Sequence, residues 1–158
     1  MKKNYLDKFN LNNKKAYVVG GSGLLGKEII QQLLESSVKV INLDLKNKKK
    51  NTNKKKYSKN YYYHKLDVSD VDNLDLNIEL LIKKFGCPDI FINCSYPVSS
   101  EWNLSSFKKN RISNLRKNVD IHQNSYCWSA YKICQKMKEK KILGSVILLT
   151  LIGSFLSL

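Results

Sequence analysis

Arginine, histidine and paired cysteines, from which many binding and metal sites are built, are scarce in this chain. Only Arg111 and Arg116 are arginines among the 28 basic residues of its 158. Arginine is the side chain suited to bidentate contacts with phosphates and base edges. Its scarcity argues against nucleic acid as the main partner, despite a formal charge of +15. The lysine excess comes with many asparagines, tyrosines and isoleucines, a bias that an A/T-rich coding sequence also produces. His64 and His122 are not spaced as metal ligands, and Cys87, Cys94, Cys127 and Cys134 form no C-x-x-C pair, so no metal site is expected. No signal-peptide pattern opens the sequence. The thiols are therefore expected to be reduced, in a cytoplasmic protein, and mostly packed as small apolar groups.

Long apolar runs are also lacking, with one exception. Residues 142–158 carry no charge and follow a basic cluster, which admits a reading as a C-terminal membrane anchor. Gly144, Gly153 and the hydroxyl residues of that run weaken it, and no membrane attachment is expected. A hydrophobic content of 42% fits a folded chain. At this length one domain spanning 1–158 is expected, with a lysine-rich surface loop at 45–60 and an atypical apolar tail at 151–158.

Within that domain the run Val18-Val19-Gly20-Gly21-Ser22-Gly23-Leu24-Leu25-Gly26 places three glycines at a G-x-x-G-x-x-G spacing. It lies between a β-branched strand pattern and a helix pattern made by Leu24, Leu25, Ile29, Ile30, Leu33 and Leu34. The spacing suits a pyrophosphate cradle: one glycine for the bend, one for close backbone approach, one for helix-on-strand packing. The helix start adds unpaired N–H groups and a positive dipole end. A plain tight turn is the alternative. A second strand pattern, Val38 to Leu43, ends at Asp44, 24 residues after Gly20, near the offset where a carboxylate meets the adenosine ribose. Asp44 would repel a 2′-phosphate, so NAD is favoured over NADP as the cofactor. Lys46 and its neighbours either attract such a phosphate or simply form a solvated loop.

Further on, Tyr61 to Leu66 reads as a third strand leading to Asp67-Val68-Ser69-Asp70, with a helix cap expected at Ser69 or Asp70. Asp67 is placed either to accept from an adenine amine or to serve as a turn acid. A helix is expected over Leu74–Phe85, a buried strand over Ile90–Asn93, a long helix over Val119–Met137 and a fifth buried strand over Val146–Thr150. The pattern as a whole predicts an α/β, Rossmann-like fold: a doubly wound, mostly parallel sheet of about five strands, incomplete at its C-terminal side.

These pieces resemble the short-chain dehydrogenase/reductase family over residues of about 14 to 150. The glycine turn, Asp44, Asp67-Val68 and Asn93, at successive strand ends, carry the resemblance. It implies a cofactor-binding set of Gly20, Ser22, Gly23, Leu24, Leu25, Asp44, Asp67, Val68 and Asn93. The wider glycine spacing and Asn93-Cys94-Ser95-Tyr96-Pro97 resemble members acting on sugars and sugar nucleotides, including those linked to surface-glycan or flagellin modification. The family's chemistry is hydride transfer using a Tyr-x-x-x-Lys pair after the fifth strand, a serine closing that strand, and often an asparagine on the preceding helix. Here the pair occurs only at Tyr61 and Lys65, on a strand, and Thr150 holds the serine's place; Asp120 or Asn124 offers a match for the asparagine. No catalytic residue is assigned. The resemblance thus implies a truncated, NAD(P)-binding oxidoreductase relative, inactive alone. A non-catalytic nucleotide-binding or interaction module is the alternative. Pairing of two copies through the 119–139 helix is implied as well.

Overall fold

The computed structural model describes residues 10–46, 59–96 and 111–149. The lysine run at 47–58, Pro97, Thr150 and the 151–158 tail lie outside the described residues. In chain order the elements are β1 (Lys15–Val19), α1 (Leu24–Glu35), β2 (Lys39–Asp44), β3 (Tyr61–Lys65), α2 (Leu74–Phe85), β4 (Ile90–Asn93), α3 (Ile112–Glu139) and β5 (Ser145–Leu148). All strand pairs are parallel, in the order β3-β2-β1-β4-β5. The Rossmann-like α/β fold expected from the sequence is the one observed.

Strand alternation sorts the core into two layers. Tyr17, Val19, Ile41, Leu43 and Phe91 face α2 and α3, where they meet Leu74, Ile78, Leu81, Ile133 and Met137. Ala16, Val18, Val40 and Ile92 face α1, where they meet Ile30, Leu33 and Leu34. Because β1 and β2 are buried on both faces, their sequences read as continuous apolar runs. Helix α2 ends at Gly86, with φ at +80°, and its N–H donates to Ile82 O at 2.8 Å, closing the last turn. Tyr17, wholly buried in β1, reaches that helix end and donates to Gly86 O at 2.9 Å, with Leu81 O also in reach at 3.0 Å.

Register aligns the carboxyl ends of the strands. Val19 lies opposite Leu43 and Asn93, Asp44 opposite Lys65, and Asn93 opposite Leu148. The chain moves outward from β1 through β2 to β3, then returns to lay β4 against the other side of β1. That reversal opens a crevice outside the ends of β1 and β4, the position where open α/β sheets take ligands.

Four expectations are corrected. The long helix begins at Ile112, well before Val119, because the first half of its buried stripe is polar: Asn114, Asn118, Ser125 and Ser129 precede Ile133 and Met137. Apolar periodicity is blind to such a stripe. The helix cap expected at Ser69 or Asp70 is not formed there: helix α2 covers the expected Leu74–Phe85 with Asn73 as its N-cap residue, because Asp67 and Asp70 are engaged in the turn before it. Strand β5 runs Ser145–Leu148 and is mostly exposed, only Val146 being half-buried, since among the described residues it pairs with β4 alone and α1 lies over β1 and β2. Cys87 and Cys94 do pack against the cores, but Cys127 and Cys134 are exposed on α3.

No helix among the described residues is long and apolar enough to cross a membrane. The first part of the uncharged 142–158 run is instead strand β5, hydrogen-bonded into the sheet.

The Tyr17 hydroxyl generates the first prediction. Replacing Tyr17 with Phe strips Gly86 O of its buried donor, and should lower stability by about 1–3 kcal/mol in urea unfolding.

Candidate functional site at the carboxyl ends of the strands

The turn after β1 is built by close backbone contacts. Gly20, at φ +76°, donates its N–H to Leu43 O at 2.8 Å and accepts from Gly23 N–H at 3.0 Å. A Cβ on Gly20 would lie 2.6 Å from both N and Cα of Ser95, on the loop after β4. Gly26, in the first turn of α1, has the same constraint: its Cβ would sit 2.6 Å from Gly21 Cα and collide with Gly20 O. The helix therefore starts directly on the turn. Gly23 is its N-cap residue and supplies no side-chain cap, so among the described residues no side chain caps the first N–H groups of α1. Leu24 and Leu25, expected as part of the helix's apolar pattern, are 87% and 53% exposed.

Asp44 ties the end of β2 to this turn. Its Oδ2 accepts the Ser22 N–H at 2.9 Å and its Oδ1 accepts the Lys46 N–H at 3.2 Å. Tyr63 donates its hydroxyl to Asp44 O at 3.0 Å. Beneath it, buried Asn42 donates to Ser22 Oγ at 3.2 Å and to the Tyr61 hydroxyl at 2.9 Å. Sequence reasoning missed Asn42. The available signal was a polar residue within the otherwise apolar strand Val38 to Leu43, since a buried amide needs partners.

The remaining expected positions divide. Asp67 accepts at Oδ1 from the Ser69 N–H at 2.9 Å and from the Ser69 hydroxyl at 2.5 Å, the geometry of a turn acid. Val68 is buried in the layer facing α2 and α3. Asn93 is fully buried; its Oδ1 accepts from the Ser95 N–H at 3.1 Å and the Ser95 hydroxyl at 2.7 Å, and its Nδ2 donates to Ser129 Oγ at 3.4 Å. Gly20, Ser22, Asp44 and, through Ser95, Asn93 thus belong to one contact network. Beside them Cys94 donates its thiol to Val19 O at 3.0 Å, and burial pushes that thiol up to about 11.

Three rings on the β4–β5 side were not anticipated as site residues. Tyr126 is buried and donates to Ser95 O at 2.5 Å, with Leu149 O in reach at 3.0 Å, so it bridges the ends of β4 and β5. Burial moves its phenol up to about 12. His122, half-buried, stacks on Tyr126 with centroids 4.4 Å apart, and burial holds its imidazole below the usual histidine range. Tyr96 lies 5.1 Å from His122. The two residues proposed to match the family's helix asparagine stand elsewhere: Asn124 donates to Asp120 at 2.9 Å on the exposed side of α3.

Comparison with known proteins agrees with this geometry. A sequence model of the short chain dehydrogenase family matches residues 14–155. The chain belongs to this family. The post-translational flagellin modification protein A of Campylobacter coli is 21% identical over 149 residues, a match covering 92% of this chain and 58% of that protein. A short chain dehydrogenase from Leptospira borgpetersenii, solved with bound NAD+, superposes with a TM-score of 0.73 at 22% identity, covering 94% of this chain and 54% of that one. A 4-hydroxyisoleucine dehydrogenase complexed with NADH gives a TM-score of 0.71 at 19% identity, covering 92% and 59% respectively. This short-chain dehydrogenase chain spans between a half and two thirds of the length of these relatives.

The one Tyr-x-x-x-Lys spacing in it, Tyr61 and Lys65, falls in β3. Extended backbone separates the two by about 13 Å, and a strand cannot make them the neighbours that a helix would. Tyr61 is instead a partner of Asn42.

Two measurements test the site's construction. Gly20→Ala forces a Cβ against Ser95 backbone in a left-handed conformation, and should cost about 2–5 kcal/mol in urea unfolding, the sum of conformational strain and overpacking. At pH 8 the raised Cys94 thiol holds almost no thiolate, and thiolate is the reactive form. Iodoacetamide followed by mass mapping should therefore label exposed Cys127 and Cys134 first, and Cys94 only on unfolding or at strongly alkaline pH.

Proposed function

We propose that this chain binds NAD(H) across the carboxyl ends of its strands, as the cofactor-holding part of a cytoplasmic short-chain dehydrogenase. The observation that carries the reading is the Gly20–Gly26 turn: a backbone cradle that a Cβ at Gly20 or Gly26 would fill, opening onto the uncapped start of α1. Gly20, Ser22, Gly23, Leu24 and Leu25 would surround the pyrophosphate, with Asp44 at the adenosine ribose and Asp67 and Val68 beside the adenine. Asn93 acts indirectly, by shaping the Ser95 loop that closes on Gly20. The similar folds solved with NAD+ and NADH support the choice of ligand.

Asp44 gives the preference for NAD(H). Its two oxygens each hold one backbone N–H and keep lone pairs for ribose hydroxyls, while its charge opposes a 2′-phosphate. When bound, the nicotinamide supplies hydride transfer to or from a carbon bearing oxygen. A tyrosine–lysine pair in helical register, which the family's proton transfer uses, is not formed by Tyr61 and Lys65, and these residues alone are proposed to bind the dinucleotide without turnover. A link to enzymes acting on sugars or sugar nucleotides is proposed from the glycine spacing and the Asn93-Cys94-Ser95-Tyr96-Pro97 ending, and a flagellin modification protein is among the relatives.

A second reading, a nucleotide-binding module completed by further polypeptide, is favoured by β5. That strand pairs only with β4 among the described residues, and its Ile147 and Leu148 are 46% and 38% exposed. The exposed Trp128 and Tyr131, stacked at 5.4 Å on α3, supply a surface for pairing of two copies.

Titration by protein fluorescence and calorimetry tests the main reading. Wild type should bind NADH more tightly than NADPH, and Asp44→Asn should weaken NADH by about tenfold or more, the loss of hydrogen bonds to a charged acceptor, while NADPH binding does not fall. Absence of binding by both dinucleotides at millimolar concentration would sink the proposal.

A further inference from the structure

The dinucleotide reading assigns residues to one half of the ligand only. With adenosine over β2 and β3, and the pyrophosphate on the turn after β1, the other nucleoside must extend over the ends of β4 and β5. The described residues there are Asn93 to Tyr96, Leu149 and the middle of α3. Asn93, Ser95 and Tyr126 are occupied with one another or with backbone: Asn93 Oδ1 takes both Ser95 donors, and the Tyr126 hydroxyl donates to Ser95 O with Leu149 O beside it. They form a floor.

On that floor stand two rings. His122 stacks on Tyr126 at 4.4 Å and 21°, and Tyr96 is tilted against it at 5.1 Å and 55°. An unbroken chain of contacts leads to them from the phosphate turn. Gly20 abuts Ser95, Ser95 O receives the Tyr126 hydroxyl, and the Tyr126 ring underlies His122. Tyr126, clamped at its hydroxyl end, fixes the plane of the imidazole above it.

We propose that His122, backed by Tyr126 and flanked by Tyr96, is the positioning surface for the nicotinamide ring of the dinucleotide. The inference rests on the dinucleotide reading above and goes beyond it by assigning the second half of the ligand. A flat aromatic heterocycle gains most from an offset stack on a ring already held in place. Burial holds the imidazole below the usual histidine range, which favours the uncharged ring and spares a cationic oxidised nicotinamide charge repulsion. Asp120 and Asn124, paired with each other on the exposed side of α3, take no part.

ADP-ribose, which has the adenosine, pyrophosphate and second ribose but no nicotinamide, separates this role from a structural one. Calorimetry on the full chain should show His122→Ala weakening NADH by about three- to tenfold, the size of one aromatic stack, with ADP-ribose affinity unchanged. His122→Phe, which keeps a flat ring, should restore NADH binding. Equal weakening of both ligands, or no change in either, overturns the proposal. So does a wild type that binds ADP-ribose as tightly as NADH. Should His122→Ala fail to fold, wild-type protein labelled in its two histidines gives the answer. The His122 ring resonances must shift with NADH and stay still with ADP-ribose; identical shifts with both ligands refute the assignment. Wild type binding neither NADH nor ADP-ribose is the separate failure of the dinucleotide reading itself.

Discussion

Backbone meets backbone where the loop after β1 touches the loop after β4, and most of this architecture follows from that contact. Gly20 can approach Ser95 only because it lacks a Cβ, and Gly26 can lie on the turn for the same reason. The first contact fixes the crevice between β1 and β4. The second aims α1 at it. Asp44 then joins the end of β2 to the same turn through Ser22, so three strand ends share one rigid junction. Remove the closeness and the strand ends remain, but nothing converges on a common point.

Around that junction the sheet is unevenly supported. One face carries both α2 and α3, while the other carries α1, which lies over β1 and β2. β5 has α3 beneath it, and among the described residues little lies above. The side of the crevice proposed for the adenosine rests on β2, an inner strand, and on the edge strand β3. The side proposed for the nicotinamide depends on Tyr126, whose hydroxyl holds the ends of β4 and β5 together.

The sequence made the scaffold plain where one physical signal dominated. Helix α2 and strand β4 match the expected ranges because their apolar spacing is uninterrupted and Gly86 marks the helix end. The glycine turn was legible as a strand-to-helix turn because its three glycines stand between a strand pattern and a helix pattern. Other parts were hidden by compensation between distant residues. The early half of α3 buries asparagines and serines, and a polar stripe has no apolar period to detect. Asn42 Nδ2 donates to Ser22 and Tyr61, partners about 20 residues away on either side, and such pairings exist only after folding. Tyr126 and His122 looked like ordinary helix residues until the sheet brought Ser95 beneath them.

The Ser22 N–H is held by a carboxylate of the protein's own rather than left for a ligand to organise. A loop that arrives at its ligand already shaped gives up little conformational entropy on binding. The glycines, the most conformationally free residues in the unfolded chain, therefore lose that freedom during folding, and the affinity of the crevice is relieved of the cost.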